Sequence, residues 1–340
     1  MKETIKYAPF ELSGRWRYRL QSLSKLYGSM FTVAIRRLLR GPRFPNWSWA
    51  LELSIHFMKA HAAAAFDMPN ISDGREYEDA FVFGSAAVAQ VNIEPVTGPI
   101  KGHWYQPIST TGSVSILYLH GGGYTYYSKA HQNLIALVTL AAEARTFALD
   151  YRLIPEHPFP AQLEDALAAY RWLLETGVSA ERLVVMGDSA GGNLAISLML
   201  ALREAALPLP ALTIGLCPWM DLSNSGDSMT ANEDFDWIEK RMPIRWAEWF
   251  CQGTNAANPQ VSPIHADLKG LPPMYLQAGS AEILIDMIRA FADRAAGQGA
   301  NVRLDVWLNM PHDFQAFGSM VPESKESLQR IAEVIREYIN

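Results

Sequence analysis

Between Leu20 and Phe66 apolar residues recur mostly at three- and four-residue intervals, and the run is broken once, at Gly41-Pro42-Arg43-Phe44-Pro45. That spacing keeps one face of a helix apolar, so the segment is predicted to form two helices joined by a turn. From Asp79 onward the texture changes to short β-rich runs: Phe81 to Phe83, Ala87 to Ile93, Gly102 to Gln106, Val114 to Leu119, Thr146 to Leu149, Leu183 to Met186, Leu212 to Leu216, Met274 to Gln277 and Val302 to Leu308. Helical periodicity separates most of the later ones. Leu163, Leu167, Tyr170 and Leu174 share a face, as do Leu284, Met287, Phe291 and Ala295, and again Leu328, Ile331 and Ile335. Strands alternating with helices predict an α/β fold with a mostly parallel central sheet covered on both faces, the early strands forming an antiparallel edge. Residues 221–260 interrupt this rhythm with polar turns followed by Trp237, Trp246, Trp249 and Phe250, and read as an insertion that joins the first helices in a lid.

The strongest chemical signal is Leu183-Val184-Val185-Met186-Gly187-Asp188-Ser189-Ala190-Gly191-Gly192-Asn193, an apolar strand that runs through Gly-x-Ser-x-Gly into a helix. A serine on so tight a turn projects its hydroxyl from the carboxyl edge of the sheet, and Gly187 and Gly191 let the turn close. The helix start adds free N–H groups and a positive dipole end. A second signal, His120-Gly121-Gly122-Gly123-Tyr124, follows the strand ending at Leu119. Backbone N–H groups left unshielded there suit an oxyanion hole made by Gly121 and Gly122 together with Ala190. His120 then organises its loop, and Asp188 braces the turn or the oxyanion loop.

A serine hydroxyl needs a base, and the base needs an orienting acid. His312, in Asn309-Met310-Pro311-His312-Asp313-Phe314, follows the last expected strand and can reach back over the sheet edge. His103, His131, His157 and His265 follow no late strand and read as structural. The acid is sought after Met274 to Gly279, where Glu282 and Asp286 stand; Glu282 is preferred, and Asp286, one turn into the next helix, reads as a surface or supporting carboxylate. The order serine, acid, histidine is the one expected for a fold of this kind. Trp219 and Tyr124 are candidate pocket residues, Glu164 and Asp165 open a helix, and Arg152 and Arg171 read as structural ion-pair partners.

From about Ile116 to the C-terminus the chain resembles the hormone-sensitive lipase family of bacterial carboxylesterases, through His120 to Tyr124, Tyr151 to Ala161, Gly187 to Asn193, and Ser262-Pro263 ahead of Leu271-Pro272-Pro273. The resemblance implies an α/β-hydrolase fold whose central sheet has about eight strands. It implies hydrolysis of short- to medium-chain acyl esters, with no metal and no cofactor, under a helical cap. The expected organisation is 1–70 as N-terminal cap helices, 71–220 and 261–340 as the two parts of the catalytic core, and 221–260 as the cap insertion. The family usually carries aspartate where Glu282 stands; glutamate, one methylene longer, can still hold the imidazole. Lactone or amide hydrolysis and acyl transfer would use the same residues, whereas a non-enzymatic receptor on this scaffold would dispense with His312.

Composition narrows the partners. At 340 residues, 49% hydrophobic and a net charge of −6, the chain should bury a large core and is not built to coat nucleic acid. The charge is uneven: residues 1–45 carry ten Lys/Arg against Glu3 and Glu11. That end reads as a solvated basic helix face whose Trp, Leu and Tyr pack inward, in preference to a membrane-surface element. Cys217 and Cys251 are too few for a disulfide framework and lie in no metal-ligand spacing. With no apolar run near 18 residues and no leader, the expectation is a cytoplasmic enzyme without stable membrane insertion, its partner a small-molecule ester, with a homodimer left open.

Overall fold

A computed structural model describes residues 10–83, 86–109 and 112–339. The chain opens with a short strand, β1 (Phe10–Leu12), then α1 (Trp16–Arg40), α2 (Trp49–Phe66) and α3 (Ile71–Glu78). α1 stops at Gly41, whose φ of 74° suits glycine and whose N–H returns to the Arg37 carbonyl. α2 starts where the Ser48 hydroxyl accepts from Leu51 N–H, and α3 where the Asn70 side chain accepts from Asp73 N–H. β2 (Phe81–Phe83) pairs antiparallel with β1, away from the main sheet. The strand expected from Ala87 to Ile93 begins instead with a short 3₁₀ turn at Val88–Gln90 and extends as β3 (Val91–Val96).

The core follows as β4 (Gly102–Pro107), β5 (Ser115–Leu119), α4 (Lys129–Ala142), β6 (Arg145–Leu149), α5 (Ala161–Glu175), β7 (Leu183–Asp188), α6 (Ser189–Glu204) and β8 (Leu212–Leu216). After α7 (Ser228–Ala231) and α8 (Arg241–Cys251) come β9 (Met274–Gly279), α9 (Ile285–Gly297), β10 (Val302–Trp307) and α10 (Pro322–Tyr338). Eight strands form one sheet in the order β10-β9-β8-β7-β5-β6-β4-β3; β3 and β4 are antiparallel to their neighbours and the rest are parallel. The expected mostly parallel sheet with an antiparallel edge is therefore the one observed.

The period of two sorts the core onto both sides of the sheet. Ile116, Tyr118, Val184 and Met186 pack with residues of α4 and α10, while Leu117, Leu119, Leu183 and Val185 pack with residues of α5, α6 and α9. β5 lies between β6 and β7, so the chain leaves it in one direction and returns on its other side. Such a switch point opens a crevice at the carboxyl ends of the strands. The loops after β5 and β7 both empty into it.

Candidate active site

Ser189 sits where β7 becomes α6, with φ at +52°, a left-handed conformation that costs a non-glycine residue about 1–3 kcal/mol. The turn is closed by absent side chains: a Cβ on Gly191 would stand 1.9 Å from the Leu119 carbonyl, and one on Gly187 2.3 Å from that of Gly191. Asp188, just before it, is fully buried and accepts from the Tyr118 hydroxyl at 2.7 Å. Burial and the neighbouring Asp313 push its carboxyl up to about 7, opposed by Tyr118, the Gly121 N–H and His312.

That last contact changes the reading of the glycine loop. Gly121 lies against the Asp188 carboxylate, so close that a Cβ would meet Oδ2 at 2.1 Å, and its amide helps to hold that carboxyl down. Gly122 and Gly123, both with positive φ, line the cavity that Ser189 faces, and Gly121 does not. The Gly121 amide thus lies beside a carboxylate, whereas Gly122 and Gly123 belong to the lining of the cavity that also holds Ser189. His120 is stacked between Tyr127 and Tyr151, with centroids at 4.0 and 4.1 Å, and its Nδ1 lies 2.8 Å from the Gly121 carbonyl. Burial holds its imidazole well below its usual pKa, in the neutral form. Tyr151 adds a hydrogen bond to the His120 carbonyl, and Arg152 pairs with Glu164 and Asp165, so the block from Tyr151 to Ala161 braces the loop.

Glu282 and His312 come from the loops after β9 and β10, which are parallel neighbours. The two loops are joined by Ala281 N–H to the Met310 carbonyl at 3.0 Å and Asn309 N–H to the Ser280 hydroxyl at 2.7 Å. The result is a contact of 3.3 Å between His312 Nδ1 and Glu282 Oε2, both side chains fully buried. Asp286 faces elsewhere, accepting from Ser228 N–H at 2.8 Å. Burial raises the Glu282 carboxyl to about 7 against the pull of His312. Burial disfavours the His312 cation, but Asp313 and Glu282 outweigh it and raise the imidazole well above its ordinary range.

The other imidazole nitrogen, Nε2, lies 3.2 Å from Asp313 Oδ2 and makes no hydrogen bond among the described residues, to Ser189 or otherwise. Asp313 was missed although it is the next residue in the chain; its φ of 48° turns its carboxylate back onto the ring. Also missed were Asp236 and Trp237, from the segment between α7 and α8. Asp236 is fully buried and accepts from Trp237 N–H at 2.7 Å, His312 N–H at 3.2 Å and Ile283 N–H at 2.8 Å. Trp237 Nε1–H donates to the His312 carbonyl at 2.7 Å. Nothing in the sequence around Asp236 marks it, because its partners are backbone amides distant in the chain.

Cys217, His312 and Asp313 offer ligand atoms within 4.8 Å of one another. Burial pushes the Cys217 thiol well up, with Glu282 and Asp313 adding to the effect. The cavity in front of Ser189 measures about 130 Å³ and is walled mainly by Phe57, Met58, Phe81, Trp237 and Trp246. Tyr124 and Trp219 are not in that wall: Tyr124 donates to Asn193 at 2.7 Å and stacks on Phe250, and Trp219 donates to Asn224 at 2.9 Å.

A family model described as alpha/beta hydrolase fold matches residues 116–316. An acetyl-hydrolase of Streptomyces hygroscopicus is 39% identical over 249 residues, covering 73% of this chain and 83% of that protein. A crystal structure of an esterase from the bacterial hormone-sensitive lipase family superposes with a TM-score of 0.73 at 33% identity, covering 94% of this chain and 99% of that one. A hormone-sensitive lipase from a metagenome library gives 0.74 at 34% identity, covering 83% and 98%. With the fold, the strained serine turn and these relatives together, the chain belongs to the hormone-sensitive lipase family of α/β-hydrolase-fold carboxylesterases and is a serine ester hydrolase.

Proposed function

We propose that the chain hydrolyses short- to medium-chain carboxylic esters through Ser189, His312 and Glu282 by way of an acyl-enzyme. The observation that carries this reading is the buried contact of 3.3 Å between His312 Nδ1 and Glu282 Oε2, taken with a serine held on a left-handed turn. Ester binds between the cap, made of the helices before residue 70 and the 221–260 insertion, and the sheet edge. Its carbonyl oxygen meets the N–H groups of Gly122, Gly123 and Ala190, each such donor worth about 10²- to 10³-fold in rate. For attack, His312 Nε2 leaves Asp313 and takes the Ser189 proton as the Oγ–carbonyl bond forms. It then protonates the departing alkoxide, and water activated by the same nitrogen cleaves the acyl-enzyme, with Glu282 steadying the imidazolium throughout.

The test is labelling with a fluorophosphonate and hydrolysis of p-nitrophenyl butyrate by wild type, Ser189→Ala, His312→Ala and Glu282→Gln. Labelling at Ser189 is expected, with kcat lower by several orders of magnitude in the first two variants and strongly reduced in the third. Full activity in Ser189→Ala, or labelling at another residue, overturns the assignment. The same panel with lactone and amide substrates separates the leaving groups.

A further inference from the structure

α1 presents to solvent a continuous stripe of large apolar side chains. Trp16, Leu20, Tyr27, Phe31 and Leu38 are 56 to 87% exposed. At about 100° per residue they fall within roughly 60° of arc, so they form one line down the helix. The buried residues Ser22, Ser29 and Val33 lie on the opposite side, where Ser29 Oγ meets His56 Nδ1 at 3.0 Å and Arg36 and Arg37 pair with Glu52. α1 therefore already has its partner within the molecule, in α2, and the stripe faces away from it. This corrects the expectation that the Trp, Leu and Tyr of this basic end pack inward.

Two features say what covers the stripe. Trp16, Tyr27 and Leu38 recur every 11 residues, a repeat of about 3.67 residues per turn, so the line runs nearly straight along the axis instead of winding as the 3.5-residue seam of a paired coiled coil. It suits a flat surface. In addition, Trp16 to Arg40 contains six Lys/Arg and no Asp or Glu. Arg36 and Arg37 are spent on Glu52, whereas Arg17, Arg19, Lys25 and Arg40 are exposed and have no ion-pair partner among the described residues, Arg17 and Arg19 bordering the stripe. Two copies meeting through this face would bring four such cations together, Arg17 and Arg19 of each, with no acid of α1 between them.

We propose that α1 lies in the plane of an anionic phospholipid bilayer, with Trp16, Leu20, Tyr27, Phe31 and Leu38 at the boundary of headgroups and acyl chains and Arg17 and Arg19, which flank them, against the phosphates. No helix among the described residues is long and apolar enough to cross a membrane, so the contact is with the surface alone. α1 packs on α2, and Phe57, Met58 and His61 of α2 wall the cavity in front of Ser189. The bilayer therefore sits one helix layer from that cavity.

The experiment is co-sedimentation of the full chain with vesicles of phosphatidylcholine alone and of equal parts phosphatidylcholine and phosphatidylglycerol. Wild type is expected to sediment with the mixed vesicles, less with the neutral ones, and less again as salt rises. The double substitution Phe31→Glu and Leu38→Glu should weaken partitioning by about tenfold or more, and replacing Arg17 and Arg19 by glutamine should abolish the preference for the anionic lipid. Hydrolysis of a soluble ester should be unchanged in both, so the result does not depend on the triad assignment. Wild type left in the supernatant with mixed vesicles, or a double variant that sediments like wild type, overturns the proposal. So does a lipid-free dimer that the double substitution dissolves without any vesicle binding.

Discussion

Around His312 the charges are crowded. Glu282 and Asp313 touch the imidazole, Asp236 binds its backbone, and Asp188 senses its charge from the serine turn. All four stabilise the cation, while a general base must be neutral to accept a proton. Removing one negative neighbour lowers the imidazole pKa, so Asp313→Asn should move the acid limb of kcat/KM to lower pH and leave activity at neutral pH equal or higher. A pH–rate profile measures it, and an acid limb that stays in place would show that Asp313 does not touch the working histidine. Asp313 stood in plain view in the sequence, yet spacing could not assign it. A neighbour in the chain usually points away from a side chain, and only the left-handed backbone at this residue folds its carboxylate onto the ring.

At the scale of elements, the site is built on parallel strands whose carboxyl ends are adjacent. β9 and β10 bring the acid and histidine loops together, and β5 and β7 do the same for the glycine loop and the serine. These placements were legible beforehand, because apolar runs followed by glycine turns mark strand ends. The segment between α7 and α8 was legible only as an insertion. In the structure Asp236 and Trp237 hold His312 by both its N–H and its carbonyl, and Asp236 also holds Ile283 next to Glu282. This segment thus holds the backbone of His312 and, through Trp237 and Ile238, also lines the cavity. Asp236→Asn keeps shape but turns an N–H group toward one of the three backbone donors, leaving it unpaired at a cost of about 1–3 kcal/mol. The expected outcome is a lower melting temperature and a kcat reduced by about 10- to 100-fold with KM little changed, as for a base displaced by a fraction of an ångström. If kcat holds while stability falls, Asp236 braces the fold and does not position the histidine.

Across the whole molecule, the cavity has walls from α2, from the segment around β2, from the glycine loop and from the insertion. Its volume of about 130 Å³ is close to that of an enclosed apolar site that accepts a single benzene ring. Turnover should therefore peak at short acyl chains and fall beyond about six carbons, and Phe57→Ala should shift the optimum to longer chains, both measured with a p-nitrophenyl ester series. An unchanged chain-length profile in Phe57→Ala would place the acyl group elsewhere.

The sequence by itself determined the alternation of strands and helices, the serine turn and the glycine loop, because each is written in local pattern: a period of two or 3.6, and glycines where a backbone must close. The tertiary structure decided what depends on groups distant in the chain. It paired β1 with β2 outside the main sheet, set Gly121 against the carboxylate of Asp188, left Tyr124 and Trp219 out of the cavity wall, and set Asp236 against the backbone of His312. It also left the apolar stripe of α1 facing solvent. Amphipathic spacing says that a helix has faces, and only the packing of its neighbours settles which face is buried.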